Sequence, residues 1–426
     1  MIEKSASTRL ILATIAILGQ APRQTLIRMG KAMKSLFYRR FLSIGLLMLL
    51  GVSDSVFAHG ERALEPFIRM RTIQWYDIAW SAKDVEVNGQ IVLNGRFHVA
   101  ENWPSAVVKP DSAFLNLAIP TPVLVRLETI VNGVHVNNSM GLQLGADYEF
   151  KMVLKGRIPG HFHIHPMMNL RDIGVIVGPG TWIDVKGAAT DFSNPVTTIA
   201  GQTVDLETFG TSNGVFWHAL WLLIVTAWLL WWLRRPLFIP RYRLVVEGRE
   251  ESLVTPLDRG LGMLGIVLTL MLVGFGYVQA ERRYGDGIPL QTGRTEVEAL
   301  EMNHDVEVRI KRAEYVFNAR SLHTTMEVTN RSSLPIQLGE LNTATVRFFN
   351  PDSGRFDPDY PEELAVEAGL QVEPGFPIAS GETRTLSVRA TDAAWHNEKL
   401  SSITKDTDSQ IGALLFFYDS AGQRSI

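Results

Sequence analysis

Two uncharged apolar stretches, Val215 to Leu233 and Leu261 to Ala280, restrict the architecture of this chain more than any other feature. Each is about 19 residues or longer, and at 1.5 Å per residue such a helix spans roughly 28 Å, the thickness of a bilayer's hydrocarbon core. Core helices of soluble domains are rarely this long and apolar on every side. The segment between them carries Arg234, Arg235, Arg241, Arg243, Arg249 and Arg259. Under the positive-inside rule this loop is cytoplasmic, so the helices form a hairpin and both flanks are exported. Domains are therefore expected at 59–210 and 285–426, joined by a hairpin at 215–280 with a cytoplasmic loop at 234–260. The expected location is a bacterial inner or intracytoplasmic membrane, with both large domains periplasmic.

The start of the chain points the same way. Lys31, Lys34, Arg39 and Arg40 precede the apolar run Phe41 to Val52, and Val56-Phe57-Ala58 follows. That order is an export leader with small residues at −3 and −1 of the cleavage site. Residues 1–58 read as leader, and the earlier apolar run Leu10 to Leu18 as a start placed too far upstream, with Met29 or Met33 as alternatives. Cleavage after Ala58 exposes His59-Gly60-Glu61. A terminal histidine is a chelate, because its α-amine and imidazole Nδ1 can close a ring on one metal ion. The amine's reference pKa of about 7.7–8.0 lets a metal displace its proton near neutrality.

Both flanks carry strand patterning. Val85 to Val87, Gly89 to Leu93, Gly95 to Val99, Val123 to Leu127 and Tyr148 to Leu154 alternate polar and apolar residues, and Asn132-Gly133 is a hairpin turn signal. After Arg282-Arg283 the alternation returns at Val306 to Ile310, Thr324 to Val328, Thr345 to Phe349 and Leu386 to Ala390, with Leu414 to Tyr418 as a buried strand. Pro374-Gly375 marks a turn. The expectation is a mainly β protein, two sandwiches joined by the hairpin.

Zero cysteines in 426 residues exclude disulfides, thiolate nucleophiles, zinc–thiolate sites and a blue-copper centre. A formal net charge of −3, from 41 basic and 44 acidic residues, gives no support for a nucleic-acid partner. No serine sits in a nucleophile-elbow pattern. Histidine is the strong metal donor that remains, and His161-Phe162-His163-Ile164-His165 places three on one face of a strand. Pro166 is expected to end that strand, leaving the histidines near a sheet end. All-nitrogen donors from His59, His163 and His165 favour copper, with zinc as the competing metal.

Several blocks carry a family resemblance. They are His59-Gly60-Glu61, Arg69 to Asp77, His163-Ile164-His165-Pro166-Met167-Met168-Asn169, Asn194 to Thr197, Gly201 to Leu206 and Phe216-Trp217-His218-Ala219. The chain resembles the B subunit of the particulate methane/ammonia monooxygenase family, from His59 almost to Ile426. The resemblance implies two cupredoxin-like domains and copper held by the His59 amine and imidazole, His163 and His165. It also implies two membrane-embedded partners, the A and C subunits, in a trimer of heterotrimers; inserting one atom of dioxygen into ammonia or a small alkane needs two further electrons, for which a membrane quinol is the expected donor. A second copper site in some methane-oxidising members uses a histidine at the position of Gln74 together with the one at His98; here Gln74 has no imidazole. That substitution tilts the resemblance toward ammonia-oxidising members. His161 matches no family ligand and is expected to stand beside the site, as are Glu61, Glu65 and Asp77, for which salt bridging is the simpler role. His218, one turn into the first apolar helix, is expected to reach headgroups or water, and the tryptophans of that helix to anchor and pack it. The rival from another class is a membrane-anchored periplasmic copper carrier; only Met167 and Met168 supply thioethers near the histidines.

Overall fold

The structure is a computed structural model describing residues 64–236, 238–285, 293–301, 304–402, 406 and 408–426. The expected leader, His59 and Glu61 lie outside the described residues. A short helix, α1 (Pro66–Arg71), precedes the first β region, an element the alternation pattern did not reveal. That region comprises β1 (Ile73–Trp80), β2 (Asp84–Glu86), β3 (Gln90–Val99), β4 (Ala113–Ala118) and β5 (Leu124–Val131). It continues with β6 (Val134–His135), β7 (Asp147–Gly156), β8 (Gly160–Leu170), β9 (Gly174–Val177) and β10 (Thr181–Lys186). One sheet has the order β1-β3-β7-β5-β6, the other β2-β10-β8-β4 with β9 also on β8. The alternate residues Ile91, Leu93, Phe97 and Val99 of β3 and Phe150, Met152 and Leu154 of β7 face Ile164, Met168 and Leu170 of β8 across a shared core. Period-two burial of this kind drives a sandwich, because each sheet has one apolar face to hide.

The runs 89–93 and 95–99 form one strand rather than two. Gly95 lets it continue, since a Cβ there would lie 2.5 Å from Ile78 Cδ1 and 2.7 Å from Phe150. Asn132 and Gly133 do make the β5–β6 turn, both with positive φ (47° and 80°), as a primed hairpin turn requires.

After the small hairpin β11 (Pro195–Thr197) and β12 (Thr203–Asp205) come α2 (Thr211–Leu233), α3 (Ile239–Val246) and α4 (Pro256–Tyr284). Helices α2 and α4 are long and apolar enough to cross a membrane, and no residue in the apolar core of either is buried. They run antiparallel: Trp217 lies beside Gly276, and Trp228 beside Gly262. The loop end is closed by a polar knot. Thr255 and Asp258 form a capping box on α4, and the buried Asp258 carboxylate also accepts from Trp231 Nε1 at 2.9 Å and Arg235 at 2.8 Å. A charge held in an otherwise apolar hairpin is tolerable because each lone pair is met.

The second sandwich comprises β13 (Val306–Val316), β14 (Ser321–Asn330), β15 (Ile336–Thr343), β16 (Val346–Phe349) and β17 (Ala365–Val366). It ends with β18 (Leu370–Glu373), β19 (Thr383–Thr391), β20 (Leu414–Asp419) and β21 (Arg424–Ser425). Its sheets are β13-β14-β19-β18 and β17-β16-β15-β20-β21, closed on Met326, Val328, Phe348, Leu386, Val388 and Trp395. The two sandwiches exchange pieces. Met70 of α1 packs into the second core, while Val297, after the hairpin, packs into the first. Asn342 donates to the Trp75 carbonyl at 3.0 Å, and Arg424 pairs with Asp77. Most deeply, Arg71 reaches across to Asp406 at 2.6 Å and Asp408 at 3.0 Å.

Candidate metal centre

Strand β8 carries the histidines. Ile164, Pro166, Met168 and Leu170 are buried on its core face, so His161, His163 and His165 share the opposite face. The strand does not end at Pro166; it continues to Leu170. The reason is an exchange of neighbours along one edge. Residues 160–164 pair with β10 and residues 167–170 with β9, and Gly178-Pro179-Gly180 crosses between them opposite Pro166. At that crossing no ladder N–H is required of residue 166, and the proline instead accepts from Gly178 N–H at 2.8 Å. His163 and His165 therefore sit within the strand, His165 opposite Ala118 at the end of β4, while His161 is next to the strand's first residue.

His163 and His165 converge. His165 Nε2 stands 3.1 Å from His163 Nδ1, and the rings are edge to face with centroids 4.5 Å apart. His165 Nδ1 lies 2.8 Å from the Gly178 carbonyl. A carbonyl only accepts, so Nδ1 carries the proton and the Nε2 lone pair is directed at His163. Two imidazole nitrogens at this separation fit around one ion with metal–nitrogen bonds of about 2 Å. A backbone carbonyl that orients the ligand ring is the usual support of metal-binding histidines. Among the described residues no group of three or more histidines, aspartates or glutamates that could hold a metal ion converges here.

Gly180 makes room for both rings. A Cβ there would lie 2.5 Å from His165 Cε1, and 2.6 and 2.7 Å from His163 Cε1 and Nε2. We expect Gly180→Ala to fold normally but to bind metal at least about tenfold more weakly, as for lost support around a ligand. Metal titration of purified protein checks this; unchanged affinity would show that the rings need no such space.

His161 is set apart. Its Nδ1 meets Asp184 at 2.6 Å, and its ring stacks on the half-exposed Trp182 with centroids 4.5 Å apart. Trp182 also lies against His163, tilted, with centroids 4.9 Å apart. Gly178, Gly180 and Trp182 were not singled out from sequence, although the Gly-Pro-Gly run was a visible sign of a tight crossing.

Gln74 and His98 are register partners on β1 and β3, but their side chains part. Gln74 is buried and donates to the Met70 carbonyl at 2.6 Å. His98 Nδ1 turns to Asp147 at 3.2 Å, and the same carboxylate oxygen accepts from Tyr76 at 2.9 Å. Burial and that carboxylate push the Tyr76 phenol well above its ordinary pKa, so it stays a donor. Asp77 is taken up by Arg424. In α2, His218 Nδ1 donates to the Gly214 carbonyl at 2.7 Å and its side chain is exposed.

Residues 60–426 match the family of monooxygenase B-subunit proteins. The sequence is 43% identical over 393 residues to the "Particulate methane monooxygenase alpha subunit" of Methylococcus capsulatus, covering 91% of this chain and 95% of the relative. Among solved structures, the cupredoxin domain of amoB from Nitrosocaldus yellowstonii is 18% identical, covering 28% of this chain and 91% of that one, at a TM-score of 0.23.

Proposed function

Because this chain belongs to the monooxygenase B-subunit family, we propose that it is the copper-holding subunit of a membrane monooxygenase acting on ammonia, or on methane and other short alkanes. The observation that carries the copper assignment is the His163–His165 pair, two ring nitrogens 3.1 Å apart with one ring locked by the Gly178 carbonyl. In this reading the amine and imidazole of His59 complete an all-nitrogen set, for which copper ranks above the other divalent first-row metals. Copper bound there supplies a redox couple and, by favouring the folded state, stabilises the first sandwich.

The residues around the pair orient and enclose it. The Gly178 carbonyl holds His165 in the tautomer whose Nε2 can ligate, Gly180 leaves space for both rings, and Trp182 packs against His163. Converting ammonia and dioxygen to hydroxylamine and water consumes two electrons and two protons, which we assign to a membrane quinol. The A and C partner subunits, in a trimer of heterotrimers, complete the assembly and can hold the reacting metal themselves. Ammonia stands first because Gln74 replaces the second-site histidine; the 43% relative keeps methane in the proposal. The six arginines of the α2–α4 connection favour placing that loop in the cytoplasm and both sandwiches in the periplasm.

The copper-carrier alternative is left with one thioether: Met168 is wholly inside the core, and of the two methionines only the half-buried Met167 shares the histidine face. The test is to extract the protein from membranes, sequence its mature amino terminus, quantify copper and zinc, and record the paramagnetic resonance spectrum. A start at His59, with copper in an axial nitrogen environment and two stoichiometric partners, is expected. A different start, or zinc in place of copper, would overturn the assignment.

A further inference from the structure

The end of the hairpin nearest the sandwiches holds a cleft of about 270 Å³ between α2 and α4. Its inner wall is Trp217, Trp221, Leu272 and Val273, and its mouth is Asn213, Gln279 and Arg283. Gly276 opens it, because Trp217 lies flat where a side chain would otherwise project: a Cβ at Gly276 would meet the indole at 3.2 Å. The cleft is thus graded along the helix axis, apolar toward the membrane centre and polar at the helix ends.

Its charge is one-sided. Among the described residues no carboxylate lines it and Arg283 meets no acid; the guanidinium lies 5.7 Å from the Tyr284 ring, which in turn packs edge-on against Phe209. An arginine at the level of the headgroups, above an aromatic-walled apolar slot, is complementary to a phosphate with an acyl chain below it. A quinol would need a proton acceptor, and among the described residues no histidine or carboxylate lines this cleft.

The geometry points to a binding site for one acidic phospholipid, its phosphate on Arg283 and the upper part of one chain against Trp217 and Trp221. The site depends on the membrane hairpin and not on the copper assignment. The slot is too small for a whole lipid, so the rest of the molecule lies along the exposed outer face of α2 and α4. Small residues and tryptophan make the slot, while the arginine selects the head group.

The test uses the complete complex extracted in detergent, titrated with dioleoyl phosphatidylglycerol and observed by native mass spectrometry. Arg283→Gln is expected to weaken retention of the first bound phosphatidylglycerol about fivefold, Arg283→Lys to restore most of it, and phosphatidylcholine to bind more weakly than phosphatidylglycerol. Equal retention by wild type and Arg283→Gln, or no preference for the acidic lipid, overturns the proposal. A benzophenone-bearing phenylalanine in place of Trp217 supplies a second arm. Light-driven adducts to phospholipid support the site; adducts to a partner polypeptide mean that a protein helix fills the slot and overturn it.

Discussion

His163→Ala and His165→Ala should each lower the copper affinity of the assembled complex by more than about 100-fold, beyond the range seen when only supporting groups are lost. The sandwich should stay folded, because both rings sit on the outer face of β8 while Ile164 and Met168 hold its core face. His161→Ala should change copper content little. Its contacts are Asp184 and Trp182, and it makes none with the converging pair. Metal quantification after dialysis against a competing chelator distinguishes these variants. Equal losses at all three positions would reject the assignment of His163 and His165 as the ligands. His165 carries a finer expectation. Its Nδ1 faces the Gly178 carbonyl, so in the proposed site ligation would run through Nε2, and glutamine there, lacking the ring, should not restore binding.

Arg71→Ala should produce the largest stability loss. The guanidinium is almost fully buried, bonds Asp406 at 2.6 Å and Asp408 at 3.0 Å, and donates Nε–H to the Asn102 carbonyl at 2.8 Å. Removing it leaves the Asp406 carboxylate buried without its counter-charge, a change that costs about 3–5 kcal/mol. In a protein of this size that is a fall in unfolding temperature of about 5 °C, readable by scanning calorimetry or by protease sensitivity of the second sandwich. Arg71→Met combined with Asp406→Asn should recover part of the loss, since the isolated charge is gone. If Arg71→Ala unfolds at the wild-type temperature, the clasp between the sandwiches contributes nothing to stability.

The clasp also carries a pH signature. The hydroxyl and amide of Ser105, and then Arg71, hold the Asp408 carboxyl down at about 2, below the usual carboxylate range near 3.9. A depressed folded-state pKa adds stability above the unfolded value. That stability is lost as the pH falls from about 4 toward 2. Asp408→Asn should flatten this acid limb and also lower stability at neutral pH, where the contribution it removes is fully present.

How much of this was legible in the sequence depends on the range of the interactions involved. The hairpin was legible because membrane-spanning length and lack of charge are properties of a contiguous segment, and α2 and α4 extend the two apolar runs by only a few residues. Strands such as β7, β14 and β19 were legible because period-two alternation is local, and β20 because a short continuous apolar run marks a buried strand. The Asn132-Gly133 turn was legible because few residue pairs accept two positive φ values. Pro166 misled for a related reason. The rule that proline ends a strand assumes an uninterrupted neighbouring ladder, and the sequence of β8 does not show that β9 hands over to β10 at that residue. The split of β3 into two runs failed because what Gly95 spares, the approach of Ile78 and Phe150, comes from other strands.

Chain order alone determined the mainly β composition, the membrane hairpin, the lack of thiol chemistry and the presence of two imidazoles with a shared orientation. Those follow from residue type and spacing, which act over a few ångströms along the backbone. Only the folded molecule decided that the two rings meet at 3.1 Å, which carbonyl fixes one of them, where Gly180 yields space, and that Gln74 and His98 face different partners. It alone joined Arg71 to carboxylates more than 330 positions away. Such contacts depend on sheet register and on which loops cross, quantities set by the packing of the whole core and carried by no local stretch of sequence.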